Sequence, residues 1–124
     1  MRALPAAAAG KAAYVEWLEE RYSSRGGLTS ARAVYRIPSS VSNWSELRAH
    51  RFQTVDELSA AVQADDNVFI GVVAEQYFTV AAGAVRRHDS EGLVFGQRFL
   101  GNDTPDAVMA AAGRHFDVIS VQVR

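Results

Sequence analysis

The sequence predicts an α+β domain in which an N-terminal helix precedes two ββαβ units, in the order α-ββαβ-ββαβ, with helices packed on a mainly antiparallel sheet. Three observations predict it. Residues 54–73 (TVDELSAAVQADDNVFIGVV) recur in altered form as 104–123 (TPDAVMAAAGRHFDVISVQV) at a constant offset of 50, with Thr54/Thr104, Asp56/Asp106, Ala60/Ala110, Ala61/Ala111, Val68/Val118 and Val73/Val123 identical. Each copy reads as a capped helix followed by a buried strand. Short runs bounded by turn residues precede each copy and read as further strands.

The elements follow in order. Pro5 suits a helix first turn, and Tyr14, Trp17, Leu18 and Tyr22 fall on one face at helical spacing, which gives a helix over about 11–23 whose stripe packs on the core. Gly26 and Gly27 end it, being able to take left-handed geometry. Residues 31–37 (ARAVYRI) read as a strand stopped by Pro38, and residues 46–53 as a second, polar strand. Thr54 with Glu57 three residues later forms a capping box for a helix ending near 65–67. The continuous apolar run 68–73 suits a central strand buried on both faces. Residues 77–85 make a further strand, 86–92 (RRHDSEG) a polar loop, and 93–100 another strand. Pro105 opens a helix over about 105–113, and 117–123 closes the chain as a strand. Gly71 and Gly83, both inside apolar runs, mark bulges or close backbone approaches. Without the last strand, the element order resembles that of roadblock or profilin-like scaffolds, although no residue motif accompanies it.

At 124 residues and 48% apolar content, the chain reads as a single domain, 1–124. It comprises an N-terminal helix and loop (1–30), a first unit (31–73) and a second (77–124). A formal net charge of −1 argues against a global pull toward nucleic acid or membrane. The absence of cysteine excludes disulfides, thiolate catalysis and Cys-type zinc or iron–sulfur centres, and fits a reducing, cytoplasmic setting. The start, MRALPAAAAGK, is too short and too weakly apolar for a secretory signal, and no stretch is expected to match a membrane span of about 20 apolar residues.

The charges are unevenly placed. Residues 1–53 carry eight bases and four acids, 54–85 five acids and no base, and 86–124 five of each. Arg32, Arg36, Arg48 and Arg51, interleaved with Trp44, make the candidate macromolecule-binding surface: if the two first strands pair, the guanidinium groups line one sheet face beside an aromatic ring. A second constellation, His88, Asp89 and Arg98 with His50 as a further member, suits an anionic-metabolite pocket between the two halves. No G-x-S-x-G elbow, phosphate loop or paired-histidine spacing is present, so no catalytic residue, cofactor or metal is expected. His115, beside Arg114 at a helix end, has a structural explanation in the helix dipole.

The expected function is therefore a small, soluble, non-enzymatic protein-interaction module of antagonist or immunity-like type. The alternatives are a small enzyme or ligand-binding domain using the His88–Asp89–Arg98 pocket, and RNA binding through the arginine-rich first hairpin. The expected partner is another protein, with RNA as the alternative, no membrane, and a homodimer through the edge strand 118–123 as a further option.

Overall fold

The computed structural model describes residues 1–52 and 59–122. Its elements are α1 (Ala9–Ser23), α2 (Gly27–Tyr35), α3 (Trp44–Leu47), α4 (Ala60–His88), β1 (Phe95–Leu100), α5 (Asp106–His115) and β2 (Val118–Gln122). The chain divides into two compact units, Met1–Asp65 and Asp66–Arg124.

In unit one, α1 buries Tyr14, Val15, Leu18 and Tyr22 from one stripe, as its spacing predicts. Gly26 and Gly27 follow at φ 95° and 62°, a region open to glycine at little cost, and turn the chain directly into α2. Residues 31–37, expected as a strand, are thus largely helical. Ala31 and Tyr35, four apart, are the buried positions, and Arg36 closes the helix in left-handed geometry at φ 52°. Of the second expected strand, 46–53, the described residues 46–52 form the end of the short helix α3 and irregular chain instead. Asn43 accepts the Glu46 amide at 2.9 Å, while the Glu46 carboxylate accepts the Ser42 amide at 2.7 Å, a reciprocal cap that nucleates a helical turn. Phe52 packs edge-on against Tyr14 and Tyr35 at 6.0 and 5.7 Å between ring centres.

In unit two, residues 68–73 and 77–85 are no strands: both lie within α4, a 29-residue helix of about 44 Å. Ala74, Phe78 and Ala82 recur every four residues among its buried positions. They form a core with Phe99, Ala111 and Ala112, against which Val108, Met109, Phe116 and Ile119 pack. The β-branched residues of 68–73 made a strand plausible, but a continuous apolar run has no period to distinguish strand from helix. The most apolar 18-residue stretch of α4 has a mean hydropathy of 1.6, so by length and composition it matches a membrane span, contrary to expectation.

The sheet is also different in kind. Among the described residues it has two strands, β1 and β2, and they run parallel with α5 as the crossover. The predicted antiparallel sheet of two ββαβ units is therefore not formed, and the element order is not the roadblock- or profilin-like one. The internal echo fails as a structural repeat, since 68–73 is helix where its counterpart 118–122 is strand. The Thr54–Glu57 cap lies outside the described residues. Pro105 precedes α5 rather than opening it, and the Thr104 hydroxyl turns back to donate to the Leu100 carbonyl at 2.7 Å.

Candidate functional site

The arginine surface does not assemble as a sheet face, because the strand pair that would align it is absent. Arg32 sits half-buried in α2 and donates to the Val41 carbonyl. Arg36 is the exposed end of α2 and Arg51 is exposed beyond α3. Trp44 and Arg48 do come together. They line an open groove of about 460 Å³ with Val15, Glu16, Glu19, Asn43 and Ser45, and Arg48 pairs with Glu16 at 2.8 Å. Both partners are well exposed, so the pair adds little stability.

Sequence reasoning missed two buried charges in this unit. The Asp65 carboxylate accepts from Arg21 Nε at 2.5 Å, Tyr22 at 2.8 Å and Tyr35 at 2.9 Å. Burial, reinforced by the hydrogen bond to Asp65, pushes the Tyr22 hydroxyl up to about 12. The fully buried Lys11 ammonium donates to the Arg2 and His50 carbonyls at 2.5 and 2.8 Å and lies 4.5 Å from the Phe52 ring centre. Desolvation lowers the Lys11 pKa, and His50, itself half-buried, is lowered first by burial and then by Lys11. Both constellations tie segments together and expose no reacting atom.

In unit two, the His88–Asp89–Arg98 grouping does not form. His88 is the last residue of α4, and the Asp89 carboxylate closes the following turn by accepting the Glu91 and Gly92 amides at 3.2 and 2.8 Å. Among the described residues, no hydrogen bond or ion pair joins the three. Glu75 instead gathers Arg114 at 2.8 Å and His115 at 2.6 Å, and these two hold its carboxyl below the usual range.

Arg98 has a different setting. In the ladder, Phe95 pairs with Val118, Arg98 with Ser120 and Leu100 with Gln122, so three steps on β1 match two on β2. This is a β-bulge at Gly96–Gln97. Both bulge residues turn to the helix side: a Cβ on Gly96 would lie 2.3 Å from the Phe116 ring, and the Gln97 amide donates to the Tyr77 hydroxyl at 3.1 Å. Phe99 and Ile119 also face the helices, in the core. By alternation Phe95, Arg98, Leu100, Val118, Ser120 and Gln122 share the face away from them. Gly71 and Gly83 lie in α4 and mark no bulge, although Gly71 does mark a close approach, where a Cβ would lie 3.1 Å from that of Ala107; the bulge is at Gly96, a glycine within a strand.

This face combines an exposed guanidinium, a hydroxyl and a carboxamide toward the carboxyl ends of the strands with an exposed aromatic ring, Phe95, at the amino end of β1. Among the described residues Arg98 makes no ion pair or hydrogen bond. Together the groups suit a hydroxyl-rich ligand with an apolar ring face.

The architecture defines a helical unit followed by a parallel strand–helix–strand unit. A solved exo-β-agarase shares it with a TM-score of 0.80 at 24% identity, over 98% of this chain and 16% of that one. The solved PfGH50B shares it with a TM-score of 0.74 at 21% identity, over 90% of this chain and 15% of that one. The likeness is one of fold, and this chain spans about a sixth of each of those proteins. No family model and no curated protein matches the chain.

Proposed function

We propose that the chain holds a saccharide on the face of β1 and β2 opposite Phe99 and Ile119. The observation that carries this reading is Arg98, which makes no hydrogen bond or ion pair among the described residues and stands opposite Ser120 on that face. Phe95 supplies a ring on which the apolar side of a sugar can stack, and Gln122 offers both donors and acceptors to its hydroxyls. The fold likeness to an exo-β-agarase supports an agarose-type saccharide as the ligand class. The proposed role is to hold the sugar.

The test is titration of the full chain with an agarose-derived oligosaccharide, followed by NMR. Shifts at Phe95, Arg98, Ser120 and Gln122, weakened about tenfold or more by Arg98→Ala, are expected. Shifts confined to the Trp44–Arg48 groove, or none at millimolar ligand, would refute the reading. Equal binding of inorganic phosphate at Arg98 would turn it into a plain anion site.

A further inference from the structure

Trp44 and Arg48, the two members of the expected arginine surface that meet, do so in a groove of the opposite charge. From one side α1 presents Glu16 and Glu19, three residues apart and so neighbours on one helix face, with the buried Val15 beside them. From the other side come Trp44, the first residue of α3, and Arg48, four residues on. Buried Leu47 anchors α3 and the Asn43 cap on the Glu46 amide fixes its turn, so packing and capping together place the Trp44 ring. The groove between them holds about 460 Å³, the size of a small-molecule site, and both helices belong to unit one. Its lining carries two carboxylates against one guanidinium. Glu16 engages Arg48 at 2.8 Å, and Glu19 makes no ion pair or hydrogen bond among the described residues. The indole is open in the same way. Trp17 stacks on Tyr14 and carries Arg21 over its face at 5.2 Å, whereas no ring or cation of the described residues rests on Trp44.

We infer that this groove binds a small organic cation, its N-methyl or methylene groups on the Trp44 ring and its charge toward Glu19. Of the aromatic side chains the indole face attracts a cation most strongly, and the neighbouring carboxylate adds a Coulombic attraction. An anion would face two carboxylates and find the guanidinium already engaged. A bare metal ion would gain nothing from the ring and would need oxygen ligands beyond Glu16 and Glu19. Ser45, on the same lining, can donate to or accept from a hydroxyl on the ligand. Both attractions act at a solvent-exposed site, so the affinity is modest. The inference is independent of the saccharide reading, which concerns β1 and β2 in unit two.

The probe is choline, titrated into the full chain and followed by NMR at the Trp44 indole N–H. The alcohol in which carbon replaces the choline nitrogen is the uncharged control of the same shape. Saturable shifts at Trp44 and Glu19 are expected with a dissociation constant of about 1–10 mM, and the alcohol should bind about tenfold more weakly or not at all. Glu19→Gln should weaken choline about threefold. Arg48→Gln should tighten it by a similar factor, because it releases Glu16 and removes the competing cation. Circular dichroism of both variants should remain unchanged, since neither side chain is in the core. Equal binding of the alcohol would overturn the inference by making the groove merely apolar. Weaker binding in Arg48→Gln would overturn it too, by giving the ligand to the guanidinium. So would the absence of a saturable shift up to about 100 mM choline.

Discussion

The Tyr35 hydroxyl donates to the Asp65 carboxylate at 2.9 Å, and the Tyr14 hydroxyl lies 3.2 Å from that of Tyr35. A buried acid thus gathers hydroxyls from α1 and α2 at the centre of unit one. With Arg21 and Tyr22 on its other lone pairs, Asp65 is satisfied only while all these partners stay in place.

Asp65→Ala should destabilise unit one by about 3–5 kcal/mol, because it strands a guanidinium and two hydroxyls in a low-dielectric interior. Asp65→Asn should cost less, since its carbonyl still accepts. Urea unfolding followed by tyrosine fluorescence checks the order. Equal costs would mean that the charge contributes nothing.

Raised tyrosine pKa values predict alkaline instability. An unfolded tyrosine ionises near 10.0, whereas Tyr22 in the fold ionises at about 12, and Tyr35 moves the same way through burial and then Tyr14. The Tyr22 contribution is therefore complete below pH 10 and is lost as pH rises toward 12. The buried Lys11 acts oppositely below its ordinary 10.5. For that reason the stability difference between the wild type and Tyr22→Phe is the proper readout, and it should shrink across this window.

On the acid side, Glu75 is held low chiefly by the Arg114 hydrogen bond and Asp117 chiefly by the Val94 amide. Their contributions are present above the ordinary carboxyl values of 4.5 and 3.8 and fade as pH falls through the lowered ones. Glu75→Gln should flatten the acid limb of unit two's unfolding curve, measured by circular dichroism against pH. An unchanged acid limb would show that the pair is not made in solution.

Gly96→Ala should destabilise unit two by about 1–3 kcal/mol through overpacking against Phe116. It should also shift the Arg98 resonances, because the bulge sets which face Arg98 occupies. Gly101→Ala, whose new methyl would meet Val121 at 3.3 Å, serves as the milder comparison.

Gly83→Ala has the opposite sign. The nearest atom to its added Cβ is the Arg87 guanidinium at 3.9 Å, so there is space, and alanine in a helix interior gains about 0.5–1 kcal/mol over glycine. A rise in melting temperature is expected. A fall would fit a strand bulge there and would contradict α4.

Legibility in the sequence followed periodicity. α1 was readable because Tyr14, Leu18 and Tyr22 repeat at helical spacing beside acids on the other faces. β1, α5 and β2 were readable in place, because Pro105 and alternating apolar residues mark their limits. α4 was not, since residues 68–73 and 77–85 offer apolar side chains in every direction. Of the candidate site, Arg98 could be singled out, but its face could not. That depended on a bulge of one residue, signalled only by Gly96.

By itself the sequence determined local matters: the first helix and its stripe, the glycine turn at Gly26–Gly27, and a strand, helix and strand near the end. These rest on spacing, capping and φ preference between neighbours a few residues apart. Tertiary structure alone decided that 60–88 is one helix, that β1 and β2 run parallel, and that Asp65 and Lys11 are buried with their partners. Those outcomes depend on which distant groups meet, such as Asp65 with Tyr35 or Phe78 with Phe99, and no local pattern encodes that meeting.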